Sequence, residues 1–358
     1  MKWNIDIIEN WDAIWNEEFQ SRWLKLLDES PNGHVFYHPA LVKAWIDTYR
    51  SIWNLKLIFV WGNFDGIDVI LPLVHWSKNW KNAFQKVIIP IGHTDYDYHD
   101  PIFSQDVDNE MIQEFYIQLL CILKQKFSFD EFFMIGIHEQ YIPAIFSVEF
   151  EEPCPFINIA NHANWDAYLD SLNKKFVRDF YRTKQNIENQ KDVSYFICDD
   201  IEDYEKVSKF YPLMLQYHAQ RWPDAYKAPH FHENLIRYGL QGQVLSFCVV
   251  FEKEKLVASY ITFYFKNKMY LYMPTMNTEY NPYSPGRLSL ACCIEDAFKK
   301  QLSIVDHLRG AELYKGNWSS DHDTVYNVIY FQKQFSSKFK KAILFLRNKL
   351  LTLLGKPV

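Results

Sequence analysis

Residues 283–317 read YSPGRLSLACCIEDAFKKQLSIVDHLRGAELYKGN, joining a helix that opens on Ser-Pro-Gly-Arg to a short apolar strand that ends in Asp-His-Leu-Arg-Gly. Ser284 suits a helix N-cap, and Pro285 suits the first helical position because its missing amide would be unpaired there anyway. Gly286 then lets another group approach the backbone. The amides of Gly286, Arg287 and Leu288 stand at the positive end of this helix, an anion site to which Arg287 adds a charge-assisted contact. With strand-like MYLYMPTM before it and SIVDHL after it, the segment is a strand, helix, strand crossover, whose helix N-terminus lies at the strand ends where ligands bind. Ser-Pro-Gly is also a common way to begin any helix. What favours a pyrophosphate cradle is the loop that follows, where Asp306, Arg309, Tyr314, Lys315 and Trp318 gather a carboxylate, two cations, a phenol and an indole.

Working outward, the pattern around this crossover occurs twice. The first half has a helical run near 39–49, then LKLIFVWG and IDVILPLVHW joined by the hairpin signal NFDG, then KVIIPIG, a helix near 109–126 and the strand DEFFMIGI. The second half has helices near 204–221 and 232–238, then VLSFCVVF, LVASYITFYF and MYLYMPTM, the helix near 285–301 and SIVDHL. Both halves read helix, antiparallel strands, helix, strand. They predict an α/β protein of two similar units, each a mixed, largely antiparallel sheet flanked by helices. The linear division is 1–155, 156–335 and a basic amphipathic helix over 336–358.

The chain of 358 residues, 48% of them hydrophobic, is long enough for two cores. A formal net charge of -6 argues against an extended nucleic-acid surface. Six cysteines without CxxC spacing argue against a disulfide framework and a zinc site, and adjacent Cys292 and Cys293 read as helix core. The N-terminus has no basic segment followed by an apolar run, and no stretch is long enough to span a bilayer, so a cytoplasmic protein is expected.

Four further clusters have both a structural and a functional reading. Lys174, Arg178 and Arg182 recur every four residues, forming either a solvated helix face or an anion-facing ridge. In HTDYDYHDP an extended chain would put His93, Asp95, Asp97 and His99 on one face; same-face neighbours there stand ~6.6 Å apart, too spread to converge on one metal. Asp97 and His99 remain candidates for acceptor binding or a base, beside the reading of a hydrogen-bonded strand end. LQYHAQRW brings Tyr217 and Arg221 to one helix end, where they either hold an acceptor or pack inward. After Asp323 no acidic residue occurs, while Lys333, Lys338, Lys340, Lys341, Arg347, Lys349 and Lys356 interleave with Phe339, Ile343, Phe345, Leu346, Leu350 and Leu354. Such a helix lies on an anionic membrane surface or docks on its own domain.

The blocks SPGRLSLACCIEDAFKKQLSIVDHLRGAELYKGNW, FYHPALVKAWIDTY, DYHDPIF and SLNKKFVRDFYRTKQNIE together resemble the CelD/BcsL-type acyltransferases, a FemAB-related branch of the GNAT superfamily with two GNAT-like units. The resemblance implies a GNAT fold, acetyl-CoA or another acyl-CoA as co-substrate, no metal, and an acceptor that is a sugar or a cell-envelope or polysaccharide precursor. Direct transfer to an amine or hydroxyl, of groups other than aminoacyl, then needs no acyl-enzyme. Ser284, Gly286, Arg287 and Leu288 would hold the donor. Asp306, or Asp97 or His99, would act as base and Tyr314 as acid, with Arg309, Lys315, Trp318, Tyr217, Arg221 and Arg178 toward substrates. The common GNAT pyrophosphate loop carries two glycines, whereas here Gly286 stands alone with Leu288 at the second place. A FemAB-like transferase using aminoacyl-tRNA and a non-catalytic carbohydrate-binding protein are the alternatives; nucleic acid enters only through the first.

Overall fold

The computed structural model describes residues 2–93, 95–222, 228, 230–319, 321–332 and 334–353. β1 (Asn4–Ile8), α1 (Glu17–Glu29) and α2 (Pro39–Tyr49) precede β2 (Leu55–Phe64) and β3 (Ile67–Ser77). Asp65 and Gly66 turn that hairpin at φ of 49° and 82°, as Asp-Gly permits. Next come β4 (Lys86–Pro90), the short β5 (Ile102–Phe103), α3 (Asn109–Lys126), β6 (Glu131–His138) and β7 (Ser147–Asn158). α4 (Trp165–Ser171) and α5 (Lys174–Gln190) lead to β8 (Val193–Cys198), α6 (Tyr204–Ser208), α7 (Tyr211–Arg221) and α8 (Phe231–Gln241). β9 (Leu245–Glu252), β10 (Lys255–Phe265) and β11 (Lys268–Met276) form a meander, followed by α9 (Pro285–Lys299), β12 (Ile304–Asp306), β13 (Asp321–Phe331) and α10 (Gln334–Leu353).

The chain forms two compact units, one of Met1–Val42, Tyr49–Glu151 and Thr324–Val358, the other of Lys43–Thr48 and Glu152–Asp323. In the first unit the strand order is β1-β2-β3-β4-β6-β13, with β5 on β3; in the second it is β8-β9-β10-β11-β12-β7. Each unit has an antiparallel meander, a helix, and a strand that returns parallel to the last meander strand: β6 beside β4, and β12 beside β11. Each is completed by an antiparallel strand, which in the first unit comes from outside its main run. β13, from the end of the chain, pairs with β6, and β7, which follows β6 in sequence, pairs with β12. The linear division at 335 therefore differs from the structure, because 324–335 belong to the first unit.

The second unit's core lies on the sheet face covered by α5 and α9. Phe176, Phe180 and Ile187 of α5 meet Leu290, Cys293, Ile294 and Ala297 of α9 over Cys248, Tyr260, Met269 and Val305. Asn173 starts α5 by accepting the amides of Lys175 (3.0 Å) and Phe176 (3.3 Å), so its first turn needs no carboxylate of its own. Among the described residues no helix is long and apolar enough to cross a membrane.

Candidate active site

β11 and β12 stay in register for three pairs, Lys268 with Ile304, Met269 with Val305 and Tyr270 with Asp306. β11 then continues to Met276, whereas the chain after Asp306 stays with β7: the His307 amide donates to the Pro155 carbonyl (2.8 Å) and the Gly310 amide to that of Pro153 (3.0 Å). The two strands part, and residues 271–276 of β11 have no strand on that side among the described residues. An extended ligand could pair its amides with that backbone edge.

A 3-10 turn, Thr278–Tyr283, carries the chain from the end of β11 to the start of α9. Pro285 opens the helix as the sequence predicts, but the Ser284 hydroxyl does not cap it. Ser284 is left-handed (φ 47°, ψ 54°), while a capping hydroxyl needs extended backbone to reach back to the N2 and N3 amides. Its carbonyl instead takes the Arg287 amide (3.0 Å), so that amide is already engaged within the first turn. Gly286 is open as expected: a Cβ there would meet only the Met276 Sδ, at 3.4 Å. The Leu288 side chain is buried in the core, which leaves its backbone alone to face the helix end. The Arg287 guanidinium lies over the Phe176 ring at 5.2 Å and has no ion-pair partner among the described residues.

The loop after β12 is brought to the opening by two tyrosines. Tyr260 of β10 is the register partner of Pro274, on the part of β11 that β12 has left. The Tyr260 and Tyr314 phenols are close enough that each affects the other's titration. Burial, reinforced by Glu312, pushes the Tyr314 phenol up, against the opposing effects of the Tyr260 bond and of Arg221. Lys315 is buried and donates to the carbonyls of Leu308 (3.2 Å) and Arg309 (2.6 Å), besides pairing with Glu312 at 2.9 Å. It therefore holds the loop shut. Asp306 accepts the Leu308 amide (2.7 Å), fixing a residue whose φ is 59°, and Arg309 pairs with Glu152 at 3.2 Å. Trp318 is a core side chain, edge-on to Phe176 and Phe180. His307, which no spacing pattern singled out, is buried with both ring nitrogens unpartnered among the described residues. Burial, aided by Lys315, lowers its pKa to about 3.

Arg287 and Phe176 also line a cavity of about 730 Å³. Asn161, His162, Asn173, Lys175, Asn317 and Ser319 contribute to its wall, with Asp179 and Asp321 at the acidic positions and Tyr168, Phe176 and Trp318 as apolar surface. The Ser319 hydroxyl donates to the Phe156 carbonyl and the Tyr168 hydroxyl to that of Trp318, which anchors this wall to β7 and α4.

Tyr217 accepts a hydrogen bond from Asn277 (3.2 Å), just past β11, and exposed Arg221 stacks over the Trp222 ring at 5.6 Å. Arg178 is exposed on α5. Asp97 and His99 belong to the first unit. Their segment forms turns and bends rather than an extended strand, so the one-face alternation is not realised. His99 is buried with Nδ1 at 2.9 Å from the Ile135 carbonyl, and neighbouring Asp100 accepts the His138 amide at 2.8 Å. Among the described residues no group of three or more His, Cys, Asp or Glu is placed to hold a metal ion.

Residues 174–316 match the family described as acetyltransferase (GNAT) domain. The match runs from α5 through the parted strands and α9 to Tyr314 and Lys315. FemX shares the fold at a TM-score of 0.62 and 9% identity, over 89% of this chain and 98% of its own. A conserved protein of unknown function from Bacteroides thetaiotaomicron does so at 0.56 and 11%, over 91% and 100%. A tandem GNAT protein from the clavulanic acid biosynthesis pathway follows at 0.50 and 9%, over 92% and 98%. No curated protein matches. The chain is thus an α/β protein of two GNAT-like units, and its second unit carries the matched acetyltransferase domain.

Proposed function

We propose that the second unit is an acyl-CoA-dependent acyltransferase of the CelD/BcsL type that modifies a sugar or an envelope-polysaccharide precursor. The observation that carries this reading is the opening between β11 and β12, with α9 beginning at its far end and Tyr314 held at its side. Gly286 leaves room for a diphosphate against the first turn of α9, where the helix dipole favours negative charge. The free edge of β11 aligns the donor's amide-bearing arm, and an acyl thioester supplies the activated carbonyl. Tyr314, a buried phenol beside Tyr260, donates its proton to the departing thiolate as the acceptor amine or hydroxyl attacks. Asp306, at the end of β12 where the strands part, is the base under this reading. The cavity beside Arg287, rich in amides and hydroxyls over aromatic surface, suits a polyhydroxylated acceptor. Cys292 and Cys293 are core residues, and hydrogen bonding to Cys248 with burial drives the Cys292 thiol far above its ordinary range, so neither is assigned as a nucleophile.

Isothermal titration of the full chain with acetyl-CoA, longer acyl-CoAs and free CoA tests this reading, with Gly286→Glu alongside. Saturable binding weakened on the order of 100-fold by the new carboxylate is expected, because like charges a few ångströms apart repel strongly in a partly desolvated site. A Cβ here makes only an ordinary contact with the flexible Met276 side chain, so the fold should persist. Absence of binding to every thioester would reject the acyl-CoA donor. The exposed ridge of Lys174, Arg178 and Arg182 favours a second reading in that case, an aminoacyl donor carried on tRNA, whose transfer would fall with rising salt and with ribonuclease.

A further inference from the structure

We propose that α10 lays its outward face on an anionic phospholipid bilayer. The helix's polar side chains tie it to the first unit: Lys340 pairs with Asp130 at 2.7 Å and donates to the Phe84 carbonyl at 3.4 Å, while Arg347 donates to the Lys81 carbonyl. Four of its apolar side chains are nonetheless exposed, Phe339 60%, Ile343 42%, Phe345 67% and Leu346 64%. At the same end Phe84, 66% exposed, projects from a turn in which Ala83 and Phe84 both have positive φ. Five large apolar side chains gathered in this way exceed the scattered exposure of an ordinary surface.

Charge selects the occupant. Between 334 and 353 the chain has the cations Lys338, Lys340, Lys341, Arg347 and Lys349 and no acid, and Lys349 is exposed beside the apolar arc. A second copy docking helix to helix would bring these like charges together. With Lys340 and Arg347 held by the first unit, an anionic headgroup layer takes exposed Lys349 while the acyl boundary takes the phenylalanines and leucine, an arrangement in which the helix lies in the interface and does not cross it. Of the residues that suggested such a helix from sequence, Lys333, Leu354 and Lys356 lie outside the described residues.

Co-sedimentation of the full chain with phosphatidylcholine vesicles, with and without phosphatidylglycerol, tests the proposal. Binding is expected to the anionic vesicles only, to weaken as salt screens the headgroups, and to fall on the order of tenfold or more in Phe345→Glu/Leu346→Glu. Both positions are exposed, so an unchanged thermal melt should accompany the loss; Lys349→Glu gives a second, milder variant. Binding to neither vesicle, equal binding to both, or full binding by the double variant would overturn it. So would a wild-type dimer, without lipid binding, that the double variant dissociates, since the face would then serve self-association.

Discussion

At the scale of single residues, the assignment of Tyr314 rests on a phenol whose burial keeps it protonated beside Tyr260. Tyr314→Phe is expected to lower kcat by ~10²–10⁴-fold, in the range of general-acid loss, with donor KM little changed. Burial raises the Tyr314 pKa, so its proton is present at neutral pH and is lost only as pH climbs beyond the ordinary phenol value of about 10. The wild-type profile should keep its acid on the alkaline side to that point, and the phenylalanine variant should lack that limb. Steady-state rates against pH check both, and a full-rate variant would remove Tyr314 from the mechanism. The cluster from Asp306 to Trp318 is visible in the sequence because unlike chemistries crowd one loop. What each member does is not: Lys315, Arg309 and Trp318 are consumed in holding that loop, and such partners as Glu152, Phe176 and Tyr260 come from distant strands and helices. Tyr260 itself carries no local signal, being one aromatic in a strand full of them.

At the scale of elements, glycine decides where strands approach. Gly136 in β6 has φ 62°, and a Cβ there would collide with the Asp97 carbonyl, while its own carbonyl takes the His99 amide at 3.1 Å and its amide donates to Asn327 at 3.1 Å. Gly136→Ala therefore meets both an unfavourable backbone conformation and a backbone collision. It should destabilise the first unit by more than about 3 kcal/mol, read as a lower midpoint in urea, while donor titration to the second unit remains. Most elements themselves are legible: the NFDG hairpin, the meander of β9 to β11 and the Pro285 helix start all follow from turn chemistry and periodicity. The 94–100 neighbourhood is not, since its alternation of polar and aromatic residues imitates a strand. Tyr96 and Tyr98 are in fact both buried, and the turn at Gly92, with φ 94°, bends the chain before any strand can form.

At the scale of the whole molecule, the first unit borrows its closing strand from the end of the chain, and no periodicity in the sequence names a strand's partner. β13 pairs with β6 through Val325–His138, Tyr326–Ile137, Val328–Met134, Ile329–Phe133, Tyr330–Phe132 and Phe331–Glu131, and buries Val325, Val328 and Ile329. A chain ending at Asp323 keeps every residue of the second unit yet strips β6 of this neighbour. The unpaired amides and carbonyls of β6, with the apolar face that β13 covered, make an edge prone to aggregation. A chain ending at Gln332 keeps β13 and removes only α10. The expected outcome is that the chain ending at Gln332 melts cooperatively in both units and loses vesicle binding alone, whereas the chain ending at Asp323 retains donor binding but aggregates or melts early through its first unit. Calorimetry and hydrogen exchange on the two truncations, with amides of β6 as the reporter, separate these outcomes. Protected β6 amides in the chain ending at Asp323 would mean that the first unit closes without its borrowed strand.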